Sequence, residues 1–311
     1  MRLLKILMNL MSMKSTKRII IIVGPTAIGK TALSIELAKT LNTEIISCDS
    51  RQLYKELRIG TAPPNKQELA EVKHHFIQNL SVTDSYNAGA FELDAIQLIA
   101  ELHKDNDSII VVGGSGLYVD AICKGFDKMP SISSQLRRDL NRQLEEKGIG
   151  WLQEEVKELD PEFYNACDTS NPQRLLRALE IIKETGKTFT SFKTKITKQR
   201  PFNIIKIGLT IDRALLYNNI NNRVDNMLEK GLLDEVYSLI PHQQLNALQT
   251  VGYKELFAFY NNETTLETAV SNIKQNTRRF AKRQITWFKK DKKTKWFAPH
   301  QTEEIKTFIG L

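Results

Sequence analysis

The chain has 311 residues, enough for one large core and a smaller satellite domain. Its 41% hydrophobic and 26% charged residues are ordinary for a soluble globular protein, and no apolar run approaches the length needed to span a membrane. The net charge of +8 at pH 7 invites an anionic partner, nucleic acid first.

Residues 1–16 read as an N-terminal tail. Met1 to Met13 carries a short apolar stretch broken by Lys5 and Asn9, with no small-residue cleavage site after it. Met8, Met11 and Met13 suggest an alternative translation start. The three cysteines, Cys48, Cys123 and Cys167, are far apart and form no C-x-x-C, so neither a disulfide framework nor a zinc site is expected. A reduced cytoplasm fits this usage.

The first element is Arg18-Ile19-Ile20-Ile21-Ile22-Val23, a β-branched run for one buried strand. It runs into Gly24-Pro25-Thr26-Ala27-Ile28-Gly29-Lys30-Thr31, which matches the phosphate-binding loop G-x-x-x-x-G-K-[ST]. Ala32 to Lys39 follows with helical spacing. A glycine-rich loop between strand and helix offers backbone N–H groups and a helix N-terminus to an anion. Lys30 is placed to reach the terminal phosphate, and the Thr31 hydroxyl to hold Mg²⁺. The motif points to a bound di- or triphosphate, a nucleoside triphosphate included, and names no reaction.

A short strand over Thr43 to Ser47 then ends in Asp49-Ser50-Arg51-Gln52. In a doubly wound parallel sheet ligands bind at the carboxyl ends of strands, which puts Asp49 near the phosphates. Asp and Ser are also favoured helix caps. Gly60 to Pro64 reads as a loop. His74-His75 resembles a metal pair, but neighbours on a strand face opposite ways, so structural use is expected. A helix from Phe91 to His103 has Phe91, Ala95, Leu98, Ile99 and Leu102 on one face.

Ser108 to Val112 is another buried strand, ending in Gly113-Gly114-Ser115-Gly116. A motor or hydrolytic ATPase would place an acid there to help position Mg²⁺. Here two glycines let backbone approach a ligand, and Ser115 offers a hydroxyl at the same sheet edge as Asp49.

From 127 to 200 strand-like runs give way to helical patterns over Ser134 to Lys147, Trp151 to Leu159 and Asn171 to Thr185, the last closed by Gly186. This segment reads as a helical insertion, rich in basic residues such as Arg137, Arg174, Arg177 and Lys195. It divides a core made of 17–126 and 201–311. Strand character returns at Ile204 to Ile211. Asp212 opens a helix to about Lys230 on which Arg213 and Arg223 are expected roughly on one side. Gln249 to Lys254 turns into another helix. The last long helix, about Thr264 to Asp291, interleaves Lys282 and Arg283 with Phe280, Trp287 and Phe288, a pattern that suits an RNA surface. A membrane or partner helix is the competing reading of that pattern.

Taken together these segments resemble the tRNA dimethylallyltransferases, or tRNA isopentenyltransferases, in their bacterial form, from about Ile19 to Phe297. The ordered set carries the resemblance: Gly24 to Thr31, Asp49-Ser50-x-Gln52-x-Tyr54, Gly60-Thr61-Ala62-x-Pro64, Gly113 to Tyr118, Pro172-Gln173-Arg174-x-x-Arg177, Val251-Gly252-Tyr253-Lys254-Glu255 and Ala281-Lys282-Arg283-Gln284-x-Thr286-Trp287-Phe288. The resemblance implies an α/β P-loop NTPase-like parallel sheet with a mostly helical insertion that contacts the tRNA anticodon stem-loop. It implies transfer of a dimethylallyl group from dimethylallyl diphosphate to N6 of the adenine at tRNA position 37, by a monomer.

Residue by residue, Asp49 takes the family's general-base position and Ser115 the hydroxyl beside the reacting amine. Gly24, Pro25, Thr26, Ala27, Ile28, Gly29, Lys30 and Thr31 hold the diphosphate with Arg223, and Thr31 carries Mg²⁺. Asp49, Ser50, Arg51, Gln52, Ser115, Arg137, Gln173, Arg174, Arg177, Gly252, Tyr253, Lys254, Lys282, Arg283, Gln284 and Trp287 match tRNA-binding stretches. Ile28 and Asn171 depart from the commonest family residues without removing a group the chemistry needs. A P-loop kinase of a small molecule or nucleoside would explain the loop and the acid, but leaves the basic helices unexplained. A nucleotide-gated RNA-binding protein would explain the helices, but not an acid and a hydroxyl beside the loop. A prenyltransferase of free adenylate would have no use for the RNA-like surface.

Overall fold

The computed structural model describes residues 17–194 and 196–311; the tail reading of 1–16 and the basic residue at 195 lie outside them. Six strands, β1 (Arg18–Val23), β2 (Ile45–Ser47), β3 (His74–His75), β4 (Ser108–Gly113), β5 (Asn203–Leu209) and β6 (Lys295–Phe297), form one sheet in the order β3-β2-β4-β1-β5-β6. Every pairing is parallel. β1 is central, with Ile19 opposite Ile109 on one side and Ile204 on the other. Isoleucines 19–22 are fully buried, as expected of a strand covered on both faces.

Chain order explains where the site falls. From β1 the chain runs outward to β2 and β3, returns to β4 beside β1, and then places β5 on β1's other side. The carboxyl ends of β1, β2 and β4 therefore open onto one crevice at a topological switch point. These strands lead into the phosphate loop, the Asp49 turn and Ser115.

Helix α1 (Lys30–Leu41) starts at Gly29, which has left-handed geometry (φ 93°) and no capping side chain, so its first N–H groups stay available to an anion. Ile28 is buried in the main core, which accounts for a large residue in this loop. α2 (Lys66–Glu71) carries an Asn65–Glu68 capping box. α3 (Ala88–Leu102) is capped by Asn87 and buries Phe91, Ala95 and Ile99 as the spacing indicates. α4 (Gly116–Cys123) follows Ser115.

By internal contacts the chain divides into two compact units, one holding residues up to Lys124 with Gln199–Leu311 and the other Gly125–Lys198. The smaller unit contains α5 (Ser134–Leu159), α6 (Pro161–Ala166) and α7 (Pro172–Thr185) around Leu140, Leu152, Val156, Phe163, Leu175 and Leu179. Non-helical Gly148 (φ 75°) breaks α5, matching the two segments read in the sequence. Asn171 caps α7 by accepting the Arg174 N–H at 3.2 Å, and Gly186 closes it in left-handed geometry.

The larger unit continues with α8 (Arg213–Glu229), α9 (Leu232–Ser238), α10 (Tyr253–Tyr260), α11 (Leu266–Phe288) and α12 (Thr302–Ile309). All three cysteines are free thiols, and Cys48 and Cys123 are buried. Among the described residues no helix is long and apolar enough to cross a membrane.

Two close approaches shape the crevice. A Cβ on Gly113 would lie 2.3 Å from the Cys48 carbonyl oxygen, so the ends of β2 and β4 meet only because this residue has none. Gly113→Ala is expected to cost about 3 kcal/mol, the upper part of the overpacking range, because rigid backbone must move. An unchanged denaturation midpoint would contradict this. Gly116 likewise gives room to Trp287, whose Nε1 would be 2.4 Å from an added Cβ.

Candidate active site

A cavity of about 1120 Å³ opens at this sheet edge within the larger unit. Its walls include Thr26 to Thr31 of the phosphate loop, Asp49 to Gln52, Gly113 to Tyr118, Arg223 of α8, and Phe280, Arg283, Gln284 and Trp287 of α11.

Lys30 lies inside. Its Nζ donates to the carbonyls of Gly24 (3.1 Å) and Pro25 (2.7 Å). Burial lowers its pKa to about 8; the Asp49 charge opposes that shift and Arg223 adds to it. Burial also lowers the pKa of Arg223, again opposed by Asp49. Arg51 is lowered by burial too, with Tyr54 and then Asp49 opposing. One carboxylate thus faces three cations whose charge the surroundings disfavour, an arrangement suited to a polyanion.

Asp49 is held from behind. Its Oδ1 accepts the N–H groups of Arg51 (2.9 Å) and Gln52 (3.3 Å). The alternative reading of Asp49 as a helix cap does not hold, because the segment after it is a turn and not a helix; the two bonds fix that turn and leave Asp49 in the cavity wall. Ser115 N–H donates to Cys48 O at 3.2 Å, which ties the ends of β4 and β2 together. The Ser115 hydroxyl accepts the Ser50 N–H (2.9 Å) and donates to Ser50 Oγ (3.1 Å). A hydroxyl oxygen has two lone pairs, so one acceptor position on Ser115 is left.

Several residues expected in RNA contact are structural ties in this chain. Gln284 is buried and bridges two backbone segments, accepting the Thr26 N–H at 2.9 Å and donating to Gly114 O at 3.0 Å. Gln52 donates to the carbonyls of Thr61 (3.2 Å) and Ala62 (3.1 Å). Tyr253 is fully buried, with its hydroxyl given to Glu235 at 2.6 Å; a surface contact by this side chain is ruled out in this structure. Its neighbours Gly252 and Lys254 do line the cavity, and Lys254 is exposed. Arg283 is exposed at the wall and its guanidinium lies 5.8 Å from the Phe280 ring. Lys282 is exposed but not part of the wall.

Arg213 and Arg223 are not brought together. Arg213 is exposed over the Tyr217 ring, while Arg223 lines the cavity. Ten residues are about 2.8 helical turns, and the missing fifth of a turn separates them. In the smaller unit, Glu180 is buried and binds Arg137 (2.8 and 3.3 Å) and Arg177 (3.0 Å). Gln173 and Arg174 are exposed on the first turn of α7. His75 pairs with Glu44 and His74 with Val72 O, so the adjacent histidines serve the edge strand.

The chain matches the family model described as IPP transferase over residues 52–291. It belongs to that family. A tRNA dimethylallyltransferase of Christiangramia forsetii is 55% identical over 89% of this chain and 91% of its own length. One from Flavobacterium psychrophilum is 52% identical, over 90% and 93%. Among solved structures, the tRNA isopentenylpyrophosphate transferase of Bacillus halodurans superposes with a TM-score of 0.70 at 37% identity, covering 94% of this chain and 95% of that one. A eukaryotic dimethylallyltransferase acting on tRNA gives 0.75 at 27% identity, over 94% and 76%. The parallel-sheet fold read from the sequence is thus that of the IPP transferases.

Proposed function

We propose that this chain transfers a dimethylallyl group from dimethylallyl diphosphate to N6 of adenine 37 in tRNA. The observation that carries the reading is the convergence of Asp49 and Ser115 on the cavity wall that also holds the phosphate loop, Lys30 and Arg223. The activity of the related tRNA dimethylallyltransferases gives that geometry its substrate class.

The assigned chemistry follows from the groups present. The diphosphate sits on the uncapped amides where the loop enters α1, with Lys30 and Arg223 stabilising the charge that grows as the C–O bond breaks. The Thr31 hydroxyl and diphosphate oxygens make an oxygen donor set that fits Mg²⁺, which would neutralise leaving-group charge. The amine nitrogen of adenine is a weak nucleophile because its lone pair is delocalised into the ring. One N6 hydrogen donates to Asp49 and the other to the remaining acceptor position of Ser115. As the C–N bond forms, Asp49 takes the N6 proton and the diphosphate departs. The base must leave the anticodon-loop stack to reach this depth. We assign the surrounding RNA contact to exposed Lys254, Arg283 and Lys282 with Trp287, and on the helical unit to Gln173 and Arg174.

The test is a transfer assay with labelled dimethylallyl diphosphate, Mg²⁺ and unmodified tRNA, with free AMP as a parallel acceptor and ATP as a parallel donor. Label in tRNA alone is expected. Phosphate transfer from ATP with no label in tRNA would replace this reading with the kinase.

A further inference from the structure

Glu235 on α9 lies outside the cavity wall and makes an unusual set of bonds. Its Oε2 accepts the N–H groups of Arg58 (2.8 Å) and Ile59 (2.7 Å), and its Oε1 accepts the Gly60 N–H (3.0 Å) and the Tyr253 hydroxyl (2.6 Å). Four donors converge on one carboxylate, three of them successive backbone amides. Hydrogen bonds to a charged acceptor are the strong ones. The Tyr253 ring fills the space a side chain at residue 60 would need, its hydroxyl being 2.6 Å from where a Cβ would stand.

The loop gripped in this way goes directly to the reacting groups. One residue after Gly60, the Thr61 carbonyl accepts from both Arg223 Nη2 (3.2 Å) and Gln52 Nε2 (3.2 Å). Gln52 in turn gives its backbone N–H to Asp49. A single carbonyl therefore links the arginine assigned to the leaving group with the turn that holds the general base. Ala62, which also accepts from Gln52, is in left-handed geometry (φ 41°), so the loop needs outside support to keep its course.

We propose that Glu235 is a positioning residue. Through the 58–62 loop it sets the Arg223 guanidinium against the bound diphosphate, with Tyr253 as its partner. This rests on the transferase reading, because it takes Arg223 as the group that meets the diphosphate.

Glu235→Gln keeps the size but removes the charge and one acceptor: with its oxygen toward the Arg58 and Ile59 N–H groups, its NH₂ faces the Gly60 N–H, so the grip is weakened where the loop turns to Thr61. Lost hydrogen bonds to a charged acceptor correspond to about tenfold or more, and kcat/KM for the allylic diphosphate is expected to fall by that factor. Affinity for tRNA should stay within about threefold. Calorimetric titration with inorganic pyrophosphate and Mg²⁺ should show the same weakening without any turnover. In an Arg223→Ala background, Glu235→Gln should add little, since residues acting as one unit are not additive. Thermal melting checks that the variant folds. If it does not, Tyr253→Phe removes one donor of the four and should shift pyrophosphate affinity in the same direction by a smaller factor. Unchanged pyrophosphate binding in a folded Glu235→Gln protein, or an undiminished effect on top of Arg223→Ala, would overturn the proposal. Failure of the wild-type protein to label tRNA would instead sink the transferase reading, and the pyrophosphate titration would still judge the brace.

Discussion

Asp49→Asn is expected to lower turnover by ~10²–10⁴-fold while leaving tRNA affinity nearly unchanged. The asparagine keeps a carbonyl oxygen where Oδ1 now accepts the Arg51 and Gln52 N–H groups, so the turn survives. What it loses is the ability to take a proton from N6. It also removes the negative charge that supports the protonated states of Lys30, Arg51 and Arg223. The Lys30 pKa should therefore drop below its present value of about 8. Single-turnover transfer at saturating tRNA measures the chemical step, and direct tRNA binding measures the rest. Near-wild-type turnover with undiminished binding would remove Asp49 from the role of base. A loss of tRNA affinity in proportion to the loss of rate would make it a binding residue.

The fold was legible where local signals were strong. Arg18 to Val23 and Ser108 to Val112 are apolar runs that can only be buried strands, and the loop after the first is a motif with its own geometry. Asn171 and Gly186 mark the ends of α7 by cap chemistry alone. Other elements have no local signal. β3 has two residues and β6 three, one of them lysine, and each exists because a neighbouring strand edge pairs with it. The site divides in the same way. Asp49 and Ser115 follow strand ends and Lys30 opens the helix after the phosphate loop, so topology and motif place them. Glu235 is one acid among 36 acidic residues, and only tertiary structure brings it to the 58–60 amides. The same distinction separates Lys254 from Tyr253, adjacent in sequence, one exposed and one given over to Glu235. Family position identified the segment, and packing decides which of its side chains face the cavity.

Lys30 is expected to make the reaction sensitive to alkali. Its pKa is lowered from 10.5 to about 8 by burial, so the ammonium is present below that pH and is lost as pH rises through it. The cation is what a diphosphate needs from this residue. In the free enzyme, kcat/KM for the allylic diphosphate should therefore fall above about pH 8, because that ratio reports groups of the unliganded protein. A bound diphosphate favours the charged form, so kcat at saturation should hold to higher pH. Lys30→Arg keeps its charge throughout this range, because a guanidinium does not deprotonate there, and should abolish the alkaline limb whatever it costs in absolute rate. Lys30→Ala should lower turnover by about 10²–10³-fold at neutral pH, the usual effect of removing one preorganised donor from a developing anion. Inorganic pyrophosphate titrated across the same pH range separates binding from chemistry. Equal pH profiles for the wild type and Lys30→Arg would show that another group controls the limb, and would detach Lys30 from the diphosphate.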